Sequence, residues 1–227
     1  MEGIGFDVIS DLHLTPTDPF SWEGKATSLY CIVAGNIGSD IRTIYQVLDI
    51  LSHFYQGVFY VPGSAEYKDA PNIALRTQEI TAICKRIRNV ALLHNNVVII
   101  DGVAIMGANG WYGQPLPDSE LNAVRQFEDI SYLGQSLEKL QLHQDVKKIV
   151  IVTNSVPDPG LYFGEEDDEI YNQLPPSICL SNDTEKKVSH WVFGHYGKVV
   201  DTMINDINYI NNSYYNRNPY WAKRISV

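Results

Sequence analysis

Five short apolar runs in this chain each stop at a small polar motif, and that repetition limits the folds open to it. Ile4 to Ser10 leads into Asp11-Leu12-His13, Leu29 to Ala34 into Gly35-Asn36, and Val58 to Val61 into Gly63-Ser64-Ala65-Glu66. Farther on, Lys148 to Thr153 leads into Asn154, and Trp191 to Phe193 into Gly194-His195-Tyr196-Gly197. Short, continuously apolar runs suit strands buried on both faces. A helical pattern separates the second run from the third. Right-handed connections of this kind make such strands parallel and gather their ends at one sheet edge, where ligands bind in open α/β folds.

The intervening sequence supplies the helices. Ser39 or Asp40 can cap a helix carrying Ile44, Val47, Leu48 and Leu51 to about His53. Residues 71 to 88, with Pro71 at the start and Ile73, Ile80, Ile83 and Ile87 in one stripe, predict a second. Val90 to Leu93, Val97 to Asp101 and Val103 to Ala108 then read as short strands opening a second sheet, with Asp101-Gly102 as a hairpin turn. Ser119 is placed to cap a helical region interrupted near Gly134 and ending about His143. Residues 158 to 187 read as loop, including the acidic run Glu165 to Glu169. Lys198 to Ile204, Ile207 to Ile210 and Trp221 to Val227 close the chain as antiparallel strands.

Composition excludes several classes. A chain of 227 residues, 44% hydrophobic and 19% charged, is long enough for one core, so a single domain over residues 1–227 is expected. A net charge of -10 argues against holding nucleic acid by phosphate neutralisation. Lys85-Arg86 with Arg88, and Lys147-Lys148, read as solvated element ends. Cys31, Cys84 and Cys179 fit no disulfide framework and suit reduced thiols, and no run approaches a membrane span, so a cytoplasmic protein without membrane contact is expected. The Asn- and Tyr-rich, cysteine-poor composition suits a bacterial or bacteriophage source.

Asp11 and His13 lie two residues apart at a strand end, where a carboxylate and an imidazole can reach one cation. Taken in order, the five motifs resemble those of the calcineurin-like metallophosphoesterases: Asp-x-His, Gly-Asp-x-x-Asp, Gly-Asn-His-Glu or Asp, a Thr-His segment, and Gly-His-x-His. Asn218-Pro219-Tyr220 is similar to a loop of short members. The resemblance implies a metallophosphoesterase-type α/β sandwich of two mixed β-sheets flanked by helices. It also implies a two-metal site, in which ions about 3.5–4 Å apart clamp a phosphate and generate the nucleophile.

Against that pattern the ligands are depleted. Asn36 stands at the bridging carboxylate, Ser64 at an Asn ligand, and Asn154 and Gly197 at His ligands, while Ala65 occupies the position of the catalytic His. Loss of such an acid costs about 10²–10⁴-fold in rate. The resemblance therefore implies a degenerate, catalytically inactive member without cofactor, acting as a scaffold or regulatory subunit for a protein partner, as a phosphoesterase-fold subunit does in the retromer coat. Two alternatives remain open. One is a mononuclear phosphoesterase holding a single Mn, Fe or Zn ion on Asp11, His13, Asn36 and His195. The other is a non-hydrolysing binder of a nucleotide or other small phosphorylated ligand, using Lys198, Tyr196 and neighbouring loop aromatics, among them Trp111, Tyr112, Tyr162, Tyr214, Tyr215, Tyr220 and Trp221.

Overall fold

The computed structural model describes residues 3–111, 121–161, 175–214 and 219–227. Two sheets pack face to face. The first has five strands in the order β11 (Lys223–Ser226), β1 (Gly5–Ile9), β2 (Tyr30–Val33), β3 (Gly57–Tyr60) and β4 (Val90–Leu92). The second has six: β5 (Asn96–Ile100), β6 (Val103–Ala108), β7 (Lys148–Thr153), β8 (Val188–Phe193), β10 (Ile207–Asn211) and β9 (Val200–Ile204). Phe6, Val8, Ile32 and Phe59 of one sheet meet Ile105, Val150, Val192 and Ile210 of the other in a fully apolar layer. Both central sets are buried on two faces, which is why their sequences are apolar without alternation.

Helices cover the outer faces. Asp40 caps α1 (Ile41–Phe54) by accepting from the amides of Arg42 and Thr43, and Ile44, Val47, Leu48 and Leu51 of that helix are buried. With α3 (Ile73–Arg86) it packs on the first sheet; α4 (Asn122–Leu142) covers the second together with a 3-10 segment at Pro176–Asn182. A one-turn helix, α2 (Ser64–Tyr67), follows β3. The layering is helix, sheet, sheet, helix, with both sheets of mixed strand direction.

The expected fold class holds, with four local differences. β4 runs parallel to β3 and completes the first sheet, so the second begins only at β5. Asn72, not a residue before Pro71, caps α3 through its side chain to the Leu75 amide. α4 runs unbroken through Gly134, where a Cβ would stand 2.9 Å from Nδ2 of Asn182: the glycine admits the 3-10 segment and leaves the helix continuous. The closing strands pair antiparallel as expected, β9 with β10 and β11 with β1, but they divide between the two sheets, and β10 is also parallel to β8. The Asp101-Gly102 turn does join an antiparallel pair, with φ of 46° and 85° at its two residues. Ser119, Pro115, Pro117, Tyr112, Tyr162, the 165–169 acidic run, Tyr215 and Asn218 lie outside the described residues.

Candidate functional site

The parallel runs β1-β2-β3 and β6-β7-β8 deliver their C-terminal ends to one rim of the sandwich. There the loops are stitched by main-chain bonds from Asp11 N to Gly35 O (3.0 Å) and from His13 N to Asn36 O (2.9 Å). Four side-chain-bearing residues of the rim sit in the left-handed region: Asp11 (φ 55°), His13 (47°), Asn36 (58°) and His195 (59°). Asp, Asn and His tolerate that region better than most residues, yet such clustering still costs of order 1 kcal/mol or more at each position and marks a functional rim. Strand order thus brings Asp11, Asn36, Ser64, Asn154 and His195 together from five loops.

Their contacts form one neutral network around one carboxylate. Asp11 Oδ1 accepts from Nδ2 of Asn36 (2.9 Å) and from the main-chain amide of His195 (2.9 Å). Asn36 Oδ1 accepts from the Ala65 amide (2.9 Å) and from the Ser64 hydroxyl (3.3 Å). Ser64 Oγ also lies 3.1 Å from Nδ1 of His195. Asn36 Oδ1 only accepts, so when the Ser64 proton goes to it the His195 ring has to donate from Nδ1; the ring tautomer sets which arrangement holds. Asn154 spans the two sheets, donating to the Ala34 carbonyl (3.0 Å) and accepting from the Ser64 amide (3.1 Å).

Beneath this network sits Glu66, named in the third motif but given no role by sequence reasoning. Fully buried, it accepts from the amides of Asn36 (3.0 Å), Ile37 (2.8 Å) and Gly63 (2.8 Å) and from the Tyr60 hydroxyl (3.0 Å). Burial pushes its carboxyl up, and the three amides pull the other way. Its role is to hold the second and third loops in register. The signal was present in the capping spacing from Gly63 to Glu66, which places a carboxylate over the free amides at a helix start.

Solved structures share this fold. A phosphopantetheinyl hydrolase from Mycobacterium tuberculosis matches with a TM-score of 0.69 at 15% identity, covering 99% of this chain and 96% of that one. The fold is that of the metallophosphoesterases. A putative 5'-nucleotidase from Staphylococcus aureus gives 0.55 at 13% identity over 99% of this chain and 53% of its own. GAP50, the anchor in the inner membrane complex of Plasmodium, gives 0.56 at 10% identity over 95% and 73%. No protein-family model matches the sequence. An uncharacterised protein, L509, of Acanthamoeba polyphaga mimivirus is 24% identical over 186 residues, 75% of this chain and 62% of that protein. This chain therefore matches less than two thirds of that relative's length.

A metallophosphoesterase centre needs several anionic or imidazole ligands converging on two ions. Here Asp11 Oδ2 is buried without a hydrogen-bond partner among the described residues, so one atom still fits a cation. The rest does not. The Asn36 NH₂ group is directed at Asp11, a donor where a ligand lone pair is required, and among the described residues no group of three or more His, Cys, Asp or Glu is placed to hold a metal. Burial pushes the Asp11 carboxyl up, partly offset by the Asn36 and His195 hydrogen bonds. Two adjacent divalent charges would have only this carboxylate to neutralise them.

Of the remaining candidates His13 alone reaches ion-pairing distance of the carboxylate among the described residues. His13 has a half-exposed side chain whose Nε2 is 4.0 Å from Asp11 Oδ1. Tyr196 is buried in the α4-side core, with the Lys198 ammonium 5.9 Å from its ring centroid. Gly197 and Lys198 are exposed. Ala65 contributes its main-chain amide and no reactive group.

Proposed function

We propose that this chain is a non-hydrolysing protein of the metallophosphoesterase fold whose work is to bind another protein, in the cytoplasm and without a metal. The observation that carries this reading is the bond from Asn36 Nδ2 to Asp11 Oδ1. It turns the bridging position from a ligand into a donor and engages one of the two Asp11 oxygens. Ala65, at the position of the family's catalytic His, offers no general acid. A mononuclear enzyme on Asp11, His13, Asn36 and His195 is less well supported, since both the Asn36 amide and the His195 main chain already occupy the same Asp11 oxygen.

A protein partner is favoured by the sheet edges. β9 and β11 are edge strands of different sheets, joined by an ion pair between Lys223 and Asp201. Met203 of β9 (67% exposed) and Val199, just before that strand, alternate with Asp201 on one face, and Trp221 (55%) is exposed two residues before Lys223. Large exposed apolar groups next to an edge strand are commonly interaction surfaces.

The deciding experiment is elemental analysis after incubation with Mn²⁺ and Zn²⁺, beside an Asp11→Ala/His13→Ala variant, with phosphodiester turnover measured on both. Sub-stoichiometric metal and no turnover are expected. One ion per chain that vanishes in the variant, with activity, would replace this reading by the mononuclear enzyme.

A further inference from the structure

A cavity of about 480 Å³ opens beside His13, between the loop after β1 and the chain following β10. The sequence marks residues 15 to 27 only as a loop, but they form one wall. Phe20 stacks on Trp22 at 5.8 Å between centroids, and Tyr214 meets Tyr220 edge-on at 5.2 Å. Lys25 holds its ammonium 5.3 Å from the Trp22 ring centroid and makes no ion pair among the described residues. In a chain of net charge -10 that is a selective placement of positive charge. The acidic group of the wall, Asp18, is already engaged by the Thr15 amide (2.7 Å) and hydroxyl (2.8 Å).

We infer that this cavity is a binding site for a nucleoside monophosphate, its base against Phe20 and Tyr214 and its phosphate between Lys25 and the half-exposed His13. The volume lies in the range of small-ligand sites, and mixed aromatic and cationic walls suit a planar ring joined to one anionic group. Base stacking on aromatics tolerates different bases, so shape and charge select the class more than the base. The site adjoins the Asp11 network through His13, whose Nε2 is 4.0 Å from Asp11 Oδ1, and it uses no metal. It extends the binding role proposed above to a small molecule and uses none of the residues of the sheet-edge patch.

The test is calorimetric titration of the full chain, in the presence of EDTA, with AMP, GMP, CMP and UMP, and with inorganic phosphate and the free nucleosides as separate probes. At least one mononucleotide should bind one per chain, at least tenfold more tightly than either phosphate or its nucleoside. Lys25→Glu and Phe20→Ala, both at partly exposed positions, should each weaken it tenfold or more while leaving circular dichroism unchanged. Absence of mononucleotide binding at millimolar concentration would overturn the inference. So would binding unaltered in both variants, or phosphate alone binding as well as the nucleotide. Phosphorus NMR on the same samples separates the two proposals: an intact nucleotide supports the non-hydrolysing reading, whereas released phosphate overturns that reading and leaves the cavity to be judged by the variants.

Discussion

Asn36 Nδ2 lies 2.9 Å from Oδ1 of Asp11, and the other end of the same amide fixes which way this bond runs. Oδ1 of Asn36 receives the Ala65 main-chain N–H at 2.9 Å, a contact only an oxygen can make, so the group facing Asp11 must be the NH₂. The rim is thus held together by a neutral amide at the place where a bridging carboxylate would need two cations.

Asn36→Asp should therefore recreate the conflict that metals resolve. One oxygen would keep the Ala65 amide, while the other would face Asp11 across a distance now spanned by a hydrogen bond. Two buried like charges cost about 3 kcal/mol or more. In EDTA the variant should be less stable than the parent in urea unfolding by about that amount, and Mn²⁺ should restore a large part of the loss. A variant as stable as the parent without metal would sink this account of the rim.

Gly63→Ala probes the same junction by shape. A Cβ there would fall 2.4 Å from Asn36 Oδ1 and 2.5 Å from Asn154 Nδ2, both atoms of fully buried side chains already committed to hydrogen bonds. Overpacking of a site that cannot relax costs about 1–3 kcal/mol, and the broken network adds to it. Thermal melting should fall clearly below the parent. Gly63 lies at φ -112°, a value alanine adopts without strain, so the loss reports the lack of space. A melting temperature equal to the parent's would show that space at Gly63 is not what matters.

The sequence made the rim legible because strand ends are punctuated: an apolar run can only turn at a polar or glycine residue, and parallel topology then gathers the ends. What it could not show was long-range choice. Val90 to Leu92 pairs with β3 although its neighbours in sequence belong to the other sheet, because three apolar residues carry no mark of their partner. Gly134 looked like a break since glycine disfavours helix by about 1 kcal/mol, but contact with the 176–182 segment decided otherwise. Asn36 was visible as a lost ligand, yet its orientation depends on Ala65, twenty-nine residues away in the chain. The cavity beside His13 was hidden for a similar reason, as Tyr214 faces the wall of Phe20 and Trp22 only once the chain after β10 pairs with the end of β1, the Tyr214 amide donating to the Ser10 carbonyl.

Asp129 of α4 gives a prediction in pH. It is buried, and burial lifts its carboxyl from 3.8 to about 6 despite hydrogen bonds from the Gly110 amide and the Asn95 side chain. A carboxyl whose folded value is raised binds protons better folded than unfolded. Its contribution is therefore fully present below about pH 4, falls as pH rises to about 6, and is constant above. The change is worth roughly 3 kcal/mol. Measured against Asp129→Asn, which cannot ionise, the parent should lose about that much stability between pH 4 and pH 7. A difference that does not vary with pH would show that Asp129 titrates normally.

Asp7 tests whether the wall of the cavity is anchored from the core. Fully buried on β1, it accepts from the Thr27 amide (2.7 Å), the Thr27 hydroxyl (2.5 Å) and the Tyr55 hydroxyl (2.9 Å). Tyr55 in turn accepts from the Trp22 indole N–H at 2.7 Å, so one carboxylate fixes both the end of the 15–27 loop and the ring at its centre. Asp7→Ala removes both acceptor oxygens and leaves the Thr27 amide and the Tyr55 hydroxyl without this partner, and such unpaired groups cost about 1–3 kcal/mol each where buried. Hydrogen exchange should show the Thr27 amide losing protection in the variant at temperatures where the remainder of β1 stays protected. If Thr27 exchanged no faster than in the parent, the loop would owe its position to the packing of Phe20 and Trp22 alone, and mononucleotide affinity would be indifferent to Asp7. With the anchor as observed, the same variant should instead weaken any ligand held against Phe20, without Asp7 touching it.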